Sequence, residues 1–200
     1  MNTAHASPLH VEPATGLLTR TRQVLSTHFD ARPAGCVPEL IVVHSISLPP
    51  GEYGGPWIEH LFTGTLPVHR HPYFATIPAG RVSAHVLVRR DGMPVQFVPF
   101  GARAWHAGWS EYQGRAACND FSIGIELEGT DDTGFEDAQY RTLSAVIAAL
   151  LACYPTLDPA RIVGHSDIAP GRKLDPGVKF DWPRLRGLVA QSPPAAVVPP

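Results

Sequence analysis

Between Val163 and Gly177 the chain reads Val-Gly-His-Ser-Asp-Ile-Ala-Pro-Gly-Arg-Lys-Leu-Asp-Pro-Gly, and its punctuation leaves little room for regular structure. Proline fixes φ and removes a backbone donor, while glycine supplies turns, so Gly164, Pro170, Gly171, Pro176 and Gly177 predict a loop that folds back on itself. Such a loop brings His165, Lys173 and Asp175 together in space. Imidazole and carboxylate suit a zinc ion, and a catalytic zinc keeps three protein ligands and one open position. The third ligand must come from elsewhere. Ile41-Val42-Val43-His44 is the best source, because a β-branched run there ends in a histidine where the chain leaves a strand for a Pro/Gly loop. His44, His165 and Asp175 are therefore the candidate metal ligands, at one edge of a sheet.

A chain of 200 residues, 44% hydrophobic and 17% charged, supports one domain with a substantial core. The net charge of −2 and the scattered arginines exclude a nucleic-acid footprint. Cys36, Cys118 and Cys153 fit neither a disulfide framework nor a cysteine zinc site. The opening MNTAHASPLH lacks a basic and an apolar region, and no apolar run is long enough to span a bilayer, so the expectation is a cytoplasmic protein without membrane contact. Residues 1–16 read as a flexible arm, 17–190 as a single domain and 191–200 (QSPPAAVVPP) as a disordered tail.

Along the chain, residues 39–44 read as a buried strand. The next strand does not begin until residue 82, and the connection, with a short helix at 57–62, is long enough to wall a cleft. Residues 82–90 and 94–100 alternate around Asp91-Gly92, a hairpin signal. In residues 122–128 alternation puts Ser122, Gly124, Glu126 and Glu128 on one face and Ile123, Ile125 and Leu127 on the other. Apolar residues recur at three and four from 135 to 154, with Thr133 and Glu136 as a capping-box pattern and Pro155 as the stop. A short strand at 161–163 and a helix at 182–189 follow. The fold class is α/β of the α+β type: a mixed central β-sheet packed with helices, with the zinc site in a loop-walled cleft.

Alternation leaves Glu126 and Glu128 equivalent as catalytic carboxylates, although Glu128 precedes a Gly-Thr-Asp turn where a solvated side chain is expected. Lys173, two residues from a ligand, is placed to reach the metal's open position. His69 and His71 lack a carboxylate to complete a metal set and read as surface or pocket wall, whereas His85 reads as core. Trp105 is either core or a platform for a sugar ring.

Taken in order, the blocks VVHSISLPPGEYGGPWI, LFTGT, HPYFA, RVSAHVLVRRDG, VQFVPF, RAWHAG, CNDFSIGIELEGTD and GHSDIAPGRKLDPG resemble the zinc amidases that share the peptidoglycan-recognition fold. The resemblance covers roughly residues 17–190. It implies zinc held by His44, His165 and Asp175, acid–base catalysis by Glu126 and electrophilic help from Lys173. It also implies a small muropeptide substrate, cut at the amide between the muramyl lactyl group and L-alanine, and a monomeric enzyme. Ser45, Arg81, Trp105 and His106 are the candidate substrate contacts; Ser45 stands where the family often carries asparagine. Survival of all three ligands argues against a binding-only relative, and the lack of an HExxH motif removes one large peptidase class.

Overall fold

The computed structural model describes residues 8–78 and 80–192. A six-stranded sheet carries the fold. In chain order its strands are Arg22–Gln23 (β1), Leu40–Ile46 (β2), Val86–Val88 (β3), Pro94–Gln96 (β4), Ser122–Glu128 (β5) and Ile162–Gly164 (β6), arranged β6-β2-β5-β3-β4-β1. Every neighbouring pair is parallel except β3–β4, the hairpin around Asp91-Gly92. Helices Trp57–Phe62 (α1), Asp137–Cys153 (α2), His165–Ile168 (α3) and Trp182–Gln191 (α4) complete the mixed α/β architecture expected from the sequence.

The two long strands, β2 and β5, lie side by side through seven paired positions in the middle of the sheet. A parallel strand there is covered on both faces, and every residue of β5 is buried. Ile123, Ile125 and Leu127 join one core cluster with Tyr140, Leu143, Val146, Ile147 and Leu150 of α2. A second cluster forms beneath the long connection, where Ile58 and Phe62 of α1 pack with Leu48, Phe74, Leu87 and Phe97. That connection is thus anchored by its own apolar residues.

Several boundaries differ from expectation for local physical reasons. The N-terminal segment is not a free arm from residue 8 onward: Val11–Glu12 pairs with Leu17–Leu18, Val11 and Leu18 enter the core, and the buried Gln96 side chain bonds Leu18 N at 2.6 Å and Gly16 O at 3.1 Å. Residues 1–7 lie outside the described residues. At the other end α4 runs to Gln191 and is capped at Ser192, so the tail expected from residue 191 does not begin there, and the rest of it, 193–200, lies outside the described residues. Helix α2 begins later than its apolar period suggested. Its cap is Glu136 rather than Thr133: Glu136 N donates to Gln139 Oε1 at 3.0 Å, and the Gln139 side-chain amide also donates to Val88 O and Glu128 O at 3.2 and 3.0 Å. Thr133 instead pairs its hydroxyl with Thr130 at 2.7 Å. The 163–177 stretch is not wholly irregular, because β6 ends at Gly164 and the single turn of α3 starts at His165.

Candidate metal centre

His44 lies near the carboxyl end of β2, and the parallel register sets it directly beside Glu126 of β5. Edge strand β6 delivers His165 as the first residue of α3. The chain then turns back, and Ser166 N donates to Asp175 O at 3.0 Å, which closes the loop and returns Asp175 to His165. Gly177 makes this return possible. Its φ is +88°, and a Cβ there would lie 1.9 Å from the carbonyl oxygen of Asp131, so only glycine lets the loop rest on the segment after β5.

The three expected ligands converge, all buried. His44 Nδ1 and His165 Nδ1 are 3.0 Å apart, and Asp175 Oδ2 is 2.9 Å from each. Tetrahedral zinc with bonds of about 2.0–2.2 Å places neighbouring donors about 3.3–3.6 Å apart, so the triangle needs to open by only a few tenths of an ångström to hold such an ion. The outer edges of the rings support this donor set. His165 Nε2 meets the carbonyl of Ala107 at 3.1 Å; a carbonyl only accepts, so the ring proton sits on Nε2 and Nδ1 turns a lone pair inward. His44 Nε2 lies 2.9 Å from His106 Nδ1. Burial lowers the His44 pKa to about 4, which keeps it neutral. Three electron-pair donors thus face one point inside the protein, an arrangement that a cation stabilises.

Glu126 and Glu128, equivalent by alternation, occupy different surroundings. Burial, then repulsion from Asp175, pushes the Glu126 carboxyl well above its ordinary value, and Lys173 opposes this. Glu126 Oε2 and Arg32 Nε are the buried side-chain polar atoms without a hydrogen-bond partner among the described residues. An orphaned carboxylate oxygen beside a donor triangle fits a group that handles a proton at the site. Glu128 is not the solvated turn residue expected. It is 1% exposed, accepts from Gly54 N at 2.7 Å and Arg90 N at 3.1 Å, and faces Arg89 Nη1 at 3.4 Å. It anchors the 45–81 connection to the sheet. Glu128→Gln should therefore cost about 1–3 kcal/mol of stability, since an amide cannot accept at both oxygens, while turnover per folded molecule falls far less than for Glu126→Gln. Chemical denaturation and turnover of the two variants check this; unchanged stability in Glu128→Gln would contradict the anchoring role.

The remaining candidates are spread around this centre. Lys173 is exposed, and its charge acts on both Glu126 and His44. Ser45 Oγ donates to Asp131 Oδ1 at 2.7 Å. Trp105 stacks near His28, with ring centroids 6.2 Å apart, and donates from Nε1 to Asp30 Oδ1 at 3.1 Å. Arg81 is exposed. His106 has partners on both ring nitrogens, His44 Nε2 and, at 3.2 Å, Ser122 Oγ. His85 is core, as expected, with Nδ1 accepting from Gly124 N at 3.0 Å. His69 is exposed, and His71 Nδ1 accepts from Tyr73 N at 3.1 Å, away from any metal set.

Arg172 and Asn119 were not singled out from the sequence. Arg172 Nη2 donates to Ala107 O at 2.7 Å and Trp109 O at 2.5 Å, and Asn119 Oδ1 accepts from His106 N and Ala107 N at 3.1 and 2.8 Å. Both act on the same short segment. Their partners lie 12 or more residues away, beyond the reach of any periodicity or turn signal.

The family model for N-acetylmuramoyl-L-alanine amidase (Amidase_2) matches residues 34–178. The 1,6-anhydro-N-acetylmuramyl-L-alanine amidase AmpD of Escherichia coli (strain K12) is 60% identical over 176 residues, covering 88% of this chain and 96% of the relative. A crystal structure of a selenomethionine AmpD derivative superposes with a TM-score of 0.85 at 60% identity, over 88% of this chain and 97% of that one. The E. coli amidase AmiD, solved in complex with anhydro-N-acetylmuramic acid-L-Ala-D-γ-Glu-L-Lys, superposes with a TM-score of 0.56 at 27% identity, over 90% of this chain and 65% of that one.

Proposed function

This chain belongs to the N-acetylmuramoyl-L-alanine amidase family, and from that premise we propose that it is a zinc-dependent hydrolase acting on muropeptides in cell-wall recycling. The bond cut is the amide between the lactyl group of 1,6-anhydro-N-acetylmuramic acid and L-alanine. The name of the 60% identical relative supports the anhydro-sugar substrate, and the ligand held by AmiD supports the peptide attached to it. The observation that carries zinc dependence is the buried triangle of His44 Nδ1, His165 Nδ1 and Asp175 Oδ2.

The residues divide the chemistry as follows. His44, His165 and Asp175 hold the metal. Zinc in that position supplies Lewis acidity, which lowers the pKa of water from 15.7 to about 7 and polarises a carbonyl oxygen. Glu126 accepts the proton of the attacking water at its carboxylate, and the raised pKa of this group suits it to keep that proton until the alanine amine leaves, when it returns it. Lys173 places a positive charge near the oxygen on which negative charge develops. No serine or cysteine nucleophile is required, so no covalent intermediate forms.

Zinc here serves catalysis more than folding, because the two large apolar clusters are built without it. Chelation is expected to abolish hydrolysis of an anhydro-muropeptide, with activity returning on zinc addition, while the helical circular-dichroism signal is retained. Activity persisting in metal-free protein would remove the metal from the mechanism; loss of the helical signal would make the site structural. Mass spectrometry of products from an anhydro-muropeptide, an intact sacculus and a plain peptide tests the substrate: release of free stem peptide chiefly from the first supports the reading, and cleavage of the plain peptide overturns it. The same reading takes the enzyme to be a monomer and to work in the cytoplasm, and the free thiols of Cys36, Cys118 and Cys153 accord with that compartment.

A further inference from the structure

We propose that His106 is a positioning residue for the metal ligand His44: it accepts the Nε2 proton of His44 and so presents Nδ1 to the metal. This rests on the metal reading of the site given above. The two rings meet edge to face, with centroids 5.0 Å apart at 80°, and His44 Nε2 lies 2.9 Å from His106 Nδ1. For that nitrogen to accept, the His106 proton must sit on Nε2, where Ser122 Oγ lies 3.2 Å away to receive it. The order of protons runs from His44 Nε2 to His106 Nδ1, and from His106 Nε2 to Ser122 Oγ. It leaves the inner nitrogen of His44 free to ligate. Metal-bound histidines commonly give their outer N–H to a fixed acceptor, which sets the tautomer and the ring orientation.

The fold builds a place for this ring. A Cβ on Gly124 would lie 2.3 Å from His106 Cγ, so the imidazole rests on bare backbone of β5. The group that comes close to the sheet where Gly124 lacks a side chain is His106. Its main chain is clamped by Asn119 Oδ1, which accepts from His106 N and Ala107 N. The next residue completes the pattern, because Ala107 O accepts from the outer nitrogen of His165. Two consecutive residues therefore hold the outer edges of both histidine ligands, one through a side chain and one through a carbonyl. With both ring nitrogens engaged inside the protein, His106 acts on the ligand and has no free nitrogen for the substrate.

The test compares zinc affinity, by chelator competition on the full chain, in the native protein, His106→Leu and His106→Asn. Leucine keeps comparable bulk without an acceptor, whereas asparagine places its amide oxygen near the position of Nδ1. His106→Leu is expected to lose about 10–100-fold in zinc affinity, and His106→Asn to recover most of that loss. Unchanged affinity in His106→Leu overturns the proposal, and so does an equal loss in both variants, which would make the ring a space filler. If native protein binds no zinc, it is the metal reading itself that fails. Should His106→Leu not fold, the native zinc-loaded chain decides the matter by nitrogen-15 NMR. A coupling across the hydrogen bond from His44 Nε2–H to His106 Nδ1 is expected, and its absence with rapid proton exchange overturns the assignment.

Discussion

Glu126→Gln is expected to lower turnover of an anhydro-muropeptide by at least about two orders of magnitude, with zinc content and fold retained. General acid–base help is typically worth about 10²–10⁴-fold, and Glu126 is the carboxylate beside the donor triangle with an oxygen that no group among the described residues engages. The substitution keeps shape and removes the ability to take and return a proton. Stability should move the other way. The Glu126 carboxyl is held well above its ordinary value of 4.5, so the folded state favours the protonated form. The stability gained from that preference is complete below the ordinary value and is lost as pH rises through the folded-state value. Glutamine resembles the protonated form, so at neutral pH the metal-free variant should unfold no lower than the native chain. Turnover at matched zinc content, with thermal unfolding across pH, checks both. Near-native turnover, or a larger loss in Glu128→Gln, would move the acid–base role elsewhere.

Asp175→Ala should abolish function by a different route, through loss of the metal. The substitution removes the atom that stands 2.9 Å from both histidine nitrogens and leaves two ligands where three met. The fall in zinc affinity should exceed the roughly 10–100-fold cost of losing an outer hydrogen-bond partner, and activity should fall with occupancy. Zinc content after dialysis, read beside turnover, is the measurement. Full zinc and full activity would mean that the loop has been assigned the wrong ligand.

What the sequence determined by itself is what depends on near neighbours along the chain. Proline and glycine between residues 164 and 177 act on their own backbone, so a turning segment carrying His165 and Asp175 was legible, as was the β-branched run into His44. The three-and-four spacing of Tyr140, Leu143, Val146, Ile147 and Leu150 is a property of one helix and marked α2. Asp91-Gly92 marked its hairpin for the same reason. The start of α2 was less legible, because Thr133 and Glu136 both carry capping chemistry and the choice fell to Gln139, whose amide is tied to the sheet at Val88 and Glu128.

Only the tertiary structure separated Glu126 from Glu128. Strand alternation puts both on one face, but their environments come from segments distant in sequence: Gly54 and Arg89 reach Glu128, while Asp175 and Lys173 act on Glu126. The same holds for His106. Its partner His44 lies 62 residues away, and the bare backbone at Gly124 that admits its ring is a feature of another strand. A side chain's chemistry can be read from its type, but its pKa, tautomer and role depend on burial and hydrogen-bond partners, and those exist only once strands β2, β5 and β6 are side by side.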